Sequence, residues 1–206
     1  MIKVKNVTKT FGDFKSLDEM TLHVKKGSVY GLIGPNGAGK TTIIKNIMGI
    51  YTPDSGKITI DGDSVFENPD LKQRVIYISD DLFFFAGYSI LAMAKYYAGM
   101  YKNWSWERYE SLKDVFKIDD KRKVKRLSKG MQKQVAFWLG ICAKPEVMIL
   151  DEPVDGLDPV MRRNVWKLLL QDVAESEMSV LVSSHNLREL EDICDHVGIC
   201  ITERLF

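Results

Sequence analysis

Short apolar runs recur along the chain, and stretches with apolar residues at helical spacing separate several of them. A run of four or five apolar residues without alternation is typical of a strand that is buried on both faces. The pattern predicts such strands at Val29–Ile33, Val75–Ile78, 147–150 and 180–183, and helices at 162–175 and 187–193. Strands that alternate with helices favour an α/β fold, with a mostly parallel sheet and helices on both faces.

Two other segments depart from this pattern. Apolar and polar residues alternate at 20–25 and again at 57–60, where the Asp61-Gly62 turn follows. Alternation predicts half-buried strands, so we expect an N-terminal antiparallel β layer. From about residue 82 to residue 140 the pattern is helical and rich in aromatic residues. We therefore predict one domain over 1–206, with a core of 1–80 and 140–206 and an inserted all-helical subdomain at 81–139.

Composition narrows the possible partners. The 206 residues include 29 basic and 28 acidic side chains, a net charge of +1, which gives no electrostatic argument for nucleic acid. Three cysteines without a C-x-x-C pair indicate neither a disulfide framework nor a zinc site, and fit reduced thiols in the cytosol. The N-terminus is not a signal peptide, and the most apolar stretch, 82–94, is too short to cross a bilayer. Work at a membrane would therefore need membrane segments from another chain.

The strongest chemical signal is a phosphate-binding loop. Residues 34–41 match G-x-x-x-x-G-K-[ST], between a predicted strand and a predicted helix. Glycines let successive backbone N–H groups turn toward one anion, and the helix start adds its unpaired N–H groups. Lys40 can reach the β- and γ-phosphates, and the Thr41 hydroxyl can bind Mg²⁺. We expect a nucleotide to contact Gly34, Pro35, Asn36, Gly37, Ala38, Gly39, Lys40, Thr41 and Thr42.

Acidic residues and a histidine follow the predicted strands. Asp151 and Glu152 directly follow four apolar residues, Asp80 lies just after another strand, and His185 lies just after a third. Carboxyl ends of parallel strands meet at one edge of a sheet, where ligands gather. Asp151 suits a Mg²⁺ contact, whereas Glu152 can orient or deprotonate the attacking water. His185 can hydrogen-bond the γ-phosphate, although a lone histidine is more often structural.

The motif Leu127-Ser128-Lys129-Gly130-Met131-Gln132 precedes a helical pattern. Ser128 is a good N-cap residue, and Gly130 leaves room for an anion close to the backbone. An ordinary helix cap is the alternative, and these six residues alone do not exclude it.

Taken together, these motifs resemble the ATP-binding cassette (ABC) ATPases, the nucleotide-binding subunits of ABC transporters, over nearly the whole chain. The 34–41 loop resembles Walker A, 127–132 the L-S-G-G-Q signature, and 150–153 Walker B with its catalytic glutamate. Residues 156–159 match the D-loop, and His185 matches the switch histidine. Phe11 matches the aromatic residue that stacks on adenine; packing of its hairpin is an equally good reading of this side chain.

The resemblance implies an ATPase that uses ATP and Mg²⁺ to drive separate transmembrane transporter subunits from the cytoplasmic face of the cell membrane. It implies a second ATPase subunit, a copy or a paralogue, in a head-to-tail dimer, and no nucleic acid. Catalysis would use Lys40, Glu152, His185 and Asp80, and the metal would contact Thr41, Asp151 and Asp80. Across the dimer, Asp158 would lie at the seam, and the other subunit's ATP would contact Ser128, Lys129, Gly130, Met131 and Gln132.

Some residues depart from the family pattern. Asp80 lies where the family usually has Gln and sometimes Glu, so that it is a shorter acid. Lys129 replaces a usual Gly, and Met131 precedes Gln132. Family members also usually continue beyond residue 206. Asp80 leaves open a non-hydrolysing, nucleotide-gated interaction module. A soluble ABC protein that acts on nucleic acid or ribosomes is the other alternative, and the near-neutral charge argues against it.

Two exposed features are also expected. Residues 82–85 contain three phenylalanines at the start of the insertion, which by resemblance forms the groove for a membrane subunit's coupling helix. Core packing is the alternative, and we expect some of these rings to be exposed. The basic run 121–126 is more typical of a solvated face than of a site that steers ATP or contacts a membrane.

Overall fold

The computed structural model describes residues 1–201 and 204–205. Its strands are β1 Ile2–Phe11, β2 Phe14–Val24, β3 Val29–Ile33, β4 Ser55–Ile60, β5 Asp63–Ser64, β6 Val75–Ile78, β7 Val147–Asp151, β8 Ser179–Ser184, β9 His196–Ile201 and β10 Arg204–Leu205. Its helices are α1 Lys40–Ile47, α2 Pro69–Lys72, α3 Ile90–Met100, α4 Trp106–Phe116, α5 Lys129–Cys142 and α6 Pro159–Ser176, with 3₁₀ turns at Val124–Arg126 and Leu187–Glu189.

The central sheet has six strands in the order β10-β9-β3-β8-β7-β6. Its strands are parallel apart from β10, which runs antiparallel to β9. The middle strands β3, β7 and β8 are buried along their whole length, as their unbroken apolar runs predict. Because β8 lies between β3 and β7, the loops that follow these three strands emerge side by side at one sheet edge. The predicted α/β class is confirmed.

The predicted antiparallel layer is a second sheet, in the order β2-β1-β4-β5. Asp61 and Gly62 form the two-residue turn between β4 and β5, and both have positive φ angles, 52° and 91°. Such a turn matches the right-handed twist of the strands. The buried faces of β1, β2 and β4 share a core with α1, which holds the loop before that helix against the layer.

Helices α3, α4 and α5 lie between β6 and β7, around a stacked aromatic core. The ring of Trp138 stacks on Tyr109 and Phe116, with centroids 4.8 and 5.8 Å apart. The prediction that helix begins near residue 82 is wrong, because α3 begins only after its N-cap, Ser89. Gly87 has a φ of +81°, which an α-helix does not allow, so a helix cannot run from residue 82 through this position. Helix α5 extends to Cys142, past residue 139, where the helical subdomain was predicted to end. The limits of that subdomain remain a prediction.

A second prediction, a helix over 187–193, is also wrong. The segment contains only the 3₁₀ turn Leu187–Glu189 and further tight turns. The Asn186 side chain accepts from the Arg188 amide at 3.1 Å and starts the turn. Asp195 then accepts from the Val29 amide at 2.8 Å, which brings the chain back to β3 before a longer helix can form.

No helix in the described ranges 1–201 and 204–205 has both the length and the apolar character that crossing a membrane requires.

Candidate nucleotide site

The loop before α1 has the geometry of an anion-binding turn. Gly39, the residue before the helix, has a φ of +90°, and a Cβ there would lie 2.7 Å from the Ser16 carbonyl oxygen. Gly37 also has a positive φ, +85°. A Cβ on Gly34 would lie 2.4 Å from the Cys200 carbonyl oxygen. These positions therefore require glycine, and the first amides of α1 are left without partners in their own helix.

Lys40 is buried inside this loop, with 5% of its surface exposed. Its ammonium donates to the carbonyl oxygens of Gly34, at 2.6 Å, and Pro35, at 3.1 Å. The Glu152 carboxylate lies 3.4 Å from the same nitrogen. The structure thus brings together two of the predicted catalytic side chains, Lys40 and Glu152, which are 112 residues apart in the sequence (152 − 40).

Ser183 is a site residue whose role the sequence analysis missed. Its hydroxyl donates to the Asp151 carboxylate at 2.6 Å and accepts from the Glu152 amide at 3.0 Å. Both Ser183 and Asp151 are buried. In the sheet register Asp151 lies opposite Ser183. The sequence feature that could have indicated this role is a serine on the strand next to the one that ends in two acidic residues. One serine therefore orients both acidic residues.

Glu152 and His185 form a hydrogen-bonded pair at the sheet edge. The Glu152 carboxylate lies 3.0 Å from His185 Nδ1 and accepts from the His185 amide at 3.3 Å. This hydrogen bond and the negative charge raise the pKa of His185 above its ordinary value. Ligand atoms of Glu152, Asp155 and His185 lie within 4.8 Å of one another, so these residues can also hold a cation.

Asp80 contacts Lys133 in α5. The Lys133 ammonium lies 3.4 Å from the Asp80 carboxylate and donates to the Glu152 carbonyl oxygen at 2.8 Å. Nearby, the Tyr77 hydroxyl is buried beside the Asp151 carboxylate. Burial raises the pKa of Tyr77, and the negative charges of the Asp151 and Asp80 carboxylates raise it further. The metal-binding set predicted from the sequence, Thr41, Asp80 and Asp151, remains a prediction.

The signature residues form the start of α5. The Ser128 hydroxyl accepts from the Met131 amide at 3.3 Å, the N-cap that the sequence predicts, and Gln132 donates to the Leu127 carbonyl at 2.9 Å. A Cβ on Gly130 would lie 2.5 Å from the Gly156 carbonyl oxygen, so this helix start touches the loop before α6. A cavity of about 490 Å³ opens here, lined by Asp80, Asp81, Leu82, Lys129, Gln132, Lys133, Asp155 and Gly156.

Two other predicted site residues, Asp158 and Phe11, have contacts of their own. Asp158 caps α6, because its carboxylate accepts from the amides of Val160 and Met161, both at 3.0 Å. Phe11 is half-exposed at the tip of the β1–β2 hairpin, with the Tyr51 ring 5.3 Å away. This arrangement fits both readings of Phe11, stacking on a purine and packing of the hairpin. Tyr51 is a second aromatic residue that the sequence analysis did not single out.

Comparisons with known proteins show which family the chain matches. The family model described as ABC transporter matches residues 17–155. The ABC transporter ATP-binding protein YtrB of Bacillus subtilis is 33% identical over 198 residues, which are 96% of this chain and 68% of that protein. The chain therefore spans about two thirds of the length of this curated relative.

Solved structures show the same fold. The ATP-binding subunit of an ABC transporter superposes with a TM-score of 0.92 at 27% identity, over 100% of this chain and 88% of that one. A dimeric bacterial ABC transporter cassette superposes with a TM-score of 0.87 at 21% identity, over 100% of this chain and 96% of that one. At that identity, the second likeness concerns the fold alone.

The family match over residues 17–155 includes both the 34–41 loop before α1 and the acidic pair after β7. The chain belongs to the ABC transporter family, in which it is a nucleotide-binding subunit and an ATPase.

Proposed function

We propose that this chain hydrolyses ATP with Glu152 as the base for the attacking water and with Lys40 and the 34–42 loop as the phosphate clamp. The observation that carries the proposal is the meeting of Lys40, Glu152 and His185 at one sheet edge. Catalysis of phosphoryl transfer is mostly positioning and charge neutralisation, and these side chains supply both.

The reaction then follows from the positions of these groups. Water attacks the γ-phosphorus, the bond from that phosphorus to the bridging oxygen of ADP breaks, and Glu152 takes the proton that the water loses. His185, held by Glu152 at 3.0 Å, is placed to hydrogen-bond the γ-phosphate. Lys40 would exchange its backbone oxygen partners for β- and γ-phosphate oxygens.

The side chains also fit Mg²⁺. Asp151 is 1% exposed, and the Ser183 hydroxyl satisfies one of its oxygens at 2.6 Å. A carboxylate and a hydroxyl at the start of α1 are oxygen ligands of the kind that Mg²⁺ prefers. Thr41 and Asp151 would hold the ion, with Asp80 as a third candidate. Bound Mg²⁺ would neutralise charge on the β- and γ-phosphate oxygens.

The active unit that we propose is a head-to-tail dimer of two ATPase subunits. Ser128, Lys129, Gly130, Met131 and Gln132 of one subunit would contact the ATP held by Lys40 of the other. The chain has two helix starts suited to anions, at α1 and α5, and a two-fold dimer uses both. Asp158 would lie across the same seam. One solved cassette with the same fold is described as dimeric.

Light scattering tests the dimer. Glu152→Gln keeps the side-chain shape but cannot take the proton, so with ATP and Mg²⁺ it should trap the closed form at twice the monomer mass. Adding Ser128→Arg should return the monomer mass, whereas Asp70→Arg, in the exposed first turn of α2, is a matched surface control that should leave the dimer intact. A monomer at every concentration would exclude a homodimer and leave a paralogous partner.

The work that we propose is to drive a separate transmembrane subunit from the cytoplasmic face of the membrane. The side chain of Phe83 supports this, because it is 75% exposed beside the half-buried Phe85, with their ring centroids 5.6 Å apart. Lys125, in the exposed basic run, lies over the Phe83 ring at 5.5 Å.

Co-purification tests this partner. Phe83→Ser should release a polytopic membrane protein that the natural chain retains. Phe66→Ser changes an equally large exposed ring, 54% exposed just after β5, and should not. Retention of the membrane protein by both variants would argue against the Phe83 surface, and recovery of ribosomes or nucleic acid instead would argue for a soluble ABC protein.

A further inference from the structure

Lys133 is a buried lysine with two specific partners. Its side chain is 6% exposed in α5. An ammonium removed from water needs compensating oxygens, and the structure supplies the Glu152 carbonyl at 2.8 Å and the Asp80 carboxylate at 3.4 Å. The three residues come from α5, the end of β7 and the end of β6. One cation therefore connects three elements of the site.

The Glu152 backbone is the strained member of this group. Its φ is +46°, the left-handed region that residues other than glycine seldom adopt. A strained residue persists only when its surroundings hold it. Here the Glu152 amide donates to Ser183 at 3.0 Å and its carbonyl accepts from Lys133 at 2.8 Å. Without Lys133 the carbonyl would lose that partner, and the peptide would be free to relax toward an ordinary conformation.

We propose that Lys133 is a positioning residue that holds Glu152 in its hydrolytic geometry, and that Asp80 is the counter-ion of Lys133. This inference rests on the role of Glu152 proposed above. It gives a reason for an acid at position 80, because the Asp80 carboxylate, which is 65% exposed, places a negative charge 3.4 Å from the buried Lys133 ammonium, and an amide there would not. Lys133 lies only five residues after Ser128, so its side chain also connects the start of α5 with the Glu152 backbone.

Steady-state kinetics with Lys133→Gln test the positioning role. We expect kcat to fall tenfold or more while KM for ATP stays within threefold, because the phosphate clamp is untouched. Lys133→Arg keeps the charge and should retain most of kcat. The matched control is Lys102→Gln, since Lys102 pairs with Asp70 at the same 3.4 Å but is 73% exposed. This control should change neither constant.

A double-mutant cycle tests the ion pair itself. In the nucleotide-free chain, Asp80→Asn and Lys133→Gln should each lower the melting temperature, and the double variant should lose less than the sum of the two shifts. Asp70→Asn is the control for Asp80→Asn and should leave the melting temperature unchanged. Because no nucleotide or metal is present, this readout is independent of any metal contact by Asp80.

The outcomes separate this inference from the proposed function. If Glu152→Gln turns over at the natural rate, the proposed function fails. If Glu152→Gln is inactive while Lys133→Gln keeps full kcat, the positioning role of Lys133 fails but the proposed function stands. Strictly additive shifts of the melting temperature in the double variant would overturn the assignment of Asp80 as the counter-ion of Lys133. If Lys133→Gln does not fold, high kcat in Lys133→Arg together with a lower melting temperature of nucleotide-free Asp80→Asn would still support the inference. Low kcat in Lys133→Arg, or an unchanged melting temperature in Asp80→Asn, would overturn it.

Discussion

Ser183→Ala removes a hydroxyl that hydrogen-bonds to both acidic residues after β7. The Ser183 hydroxyl donates to the Asp151 carboxylate at 2.6 Å and accepts from the Glu152 amide at 3.0 Å. A hydrogen bond to a charged acceptor contributes about 1.5–3 kcal/mol, and a neutral one about 0.5–1.5 kcal/mol. We therefore expect the variant to lose roughly 2–4 kcal/mol of unfolding free energy. At about 2 kcal/mol per molar urea, the unfolding midpoint should fall by roughly 1–2 M.

Activity should fall as well, because Glu152 loses one of its two backbone anchors. Small displacements of a catalytic group can lower the rate by about a hundredfold, so we expect kcat to fall about tenfold or more. Urea unfolding and phosphate release are the two assays.

Ser179→Ala is the matched control for this change. Ser179 lies on the same strand, β8, is equally buried, and also makes two hydrogen bonds, accepting from Gly27 N at 3.1 Å and donating to the Lys25 carbonyl at 3.2 Å. Neither partner is charged or near Glu152, so the expected cost is about 1–3 kcal/mol with kcat unchanged. Equal losses of stability and of kcat in both variants would refute the reasoning.

Three other changes test separate parts of the site. Lys40→Ala should abolish most binding of a fluorescent ATP analogue, because a charge-assisted contact to two phosphates is lost; unchanged affinity would contradict the phosphate clamp. Gly39→Ala should lower both the melting temperature and ATP affinity, because its φ is +90° and its Cβ would lie 2.7 Å from the Ser16 carbonyl; Gly37→Ala, where a Cβ meets nothing within 4 Å, should cost less. Because the pKa of His185 is raised, the natural chain should be more stable than His185→Gln, and the difference in unfolding free energy should be largest below about pH 6.5. This difference should shrink as the pH rises through the raised pKa. Urea midpoints from pH 5.5 to 8.5 measure the difference, and an excess that grows with pH would show that the sign is wrong.

Local patterns predicted most of the sheet and the phosphate loop. The strands β3, β6, β7 and β8 appear where the apolar runs lie, because full burial demands an unbroken run. The 34–41 loop could be identified because its glycines and Lys40 have a fixed spacing that the backbone geometry requires. The two errors, at 82–89 and 187–193, fall where a turn or a hydrogen bond from a distant strand overrides helical spacing.

Sequence alone could not identify the residues whose function comes from packing. The sequence pattern predicts that Lys133 is an ordinary solvated lysine on a helix, and its partner Asp80 lies 53 residues away in the sequence. Ser183 acts only because the register of β7 and β8 places it opposite Asp151. Contacts of this kind depend on the assembled sheet, so no local window of sequence contains them.

Phosphate release in the presence of ATP and Mg²⁺, compared between the natural chain and Glu152→Gln at matched ATP occupancy, tests the central claim most directly. The natural chain should release phosphate, and Glu152→Gln should bind ATP equally well while its turnover falls by about a hundredfold to ten-thousandfold, the usual contribution of a general base. Equal turnover in the two proteins would contradict the assignment of Glu152. Absence of turnover in the natural chain, alone and with its partner subunits, would point instead to a nucleotide-gated interaction module.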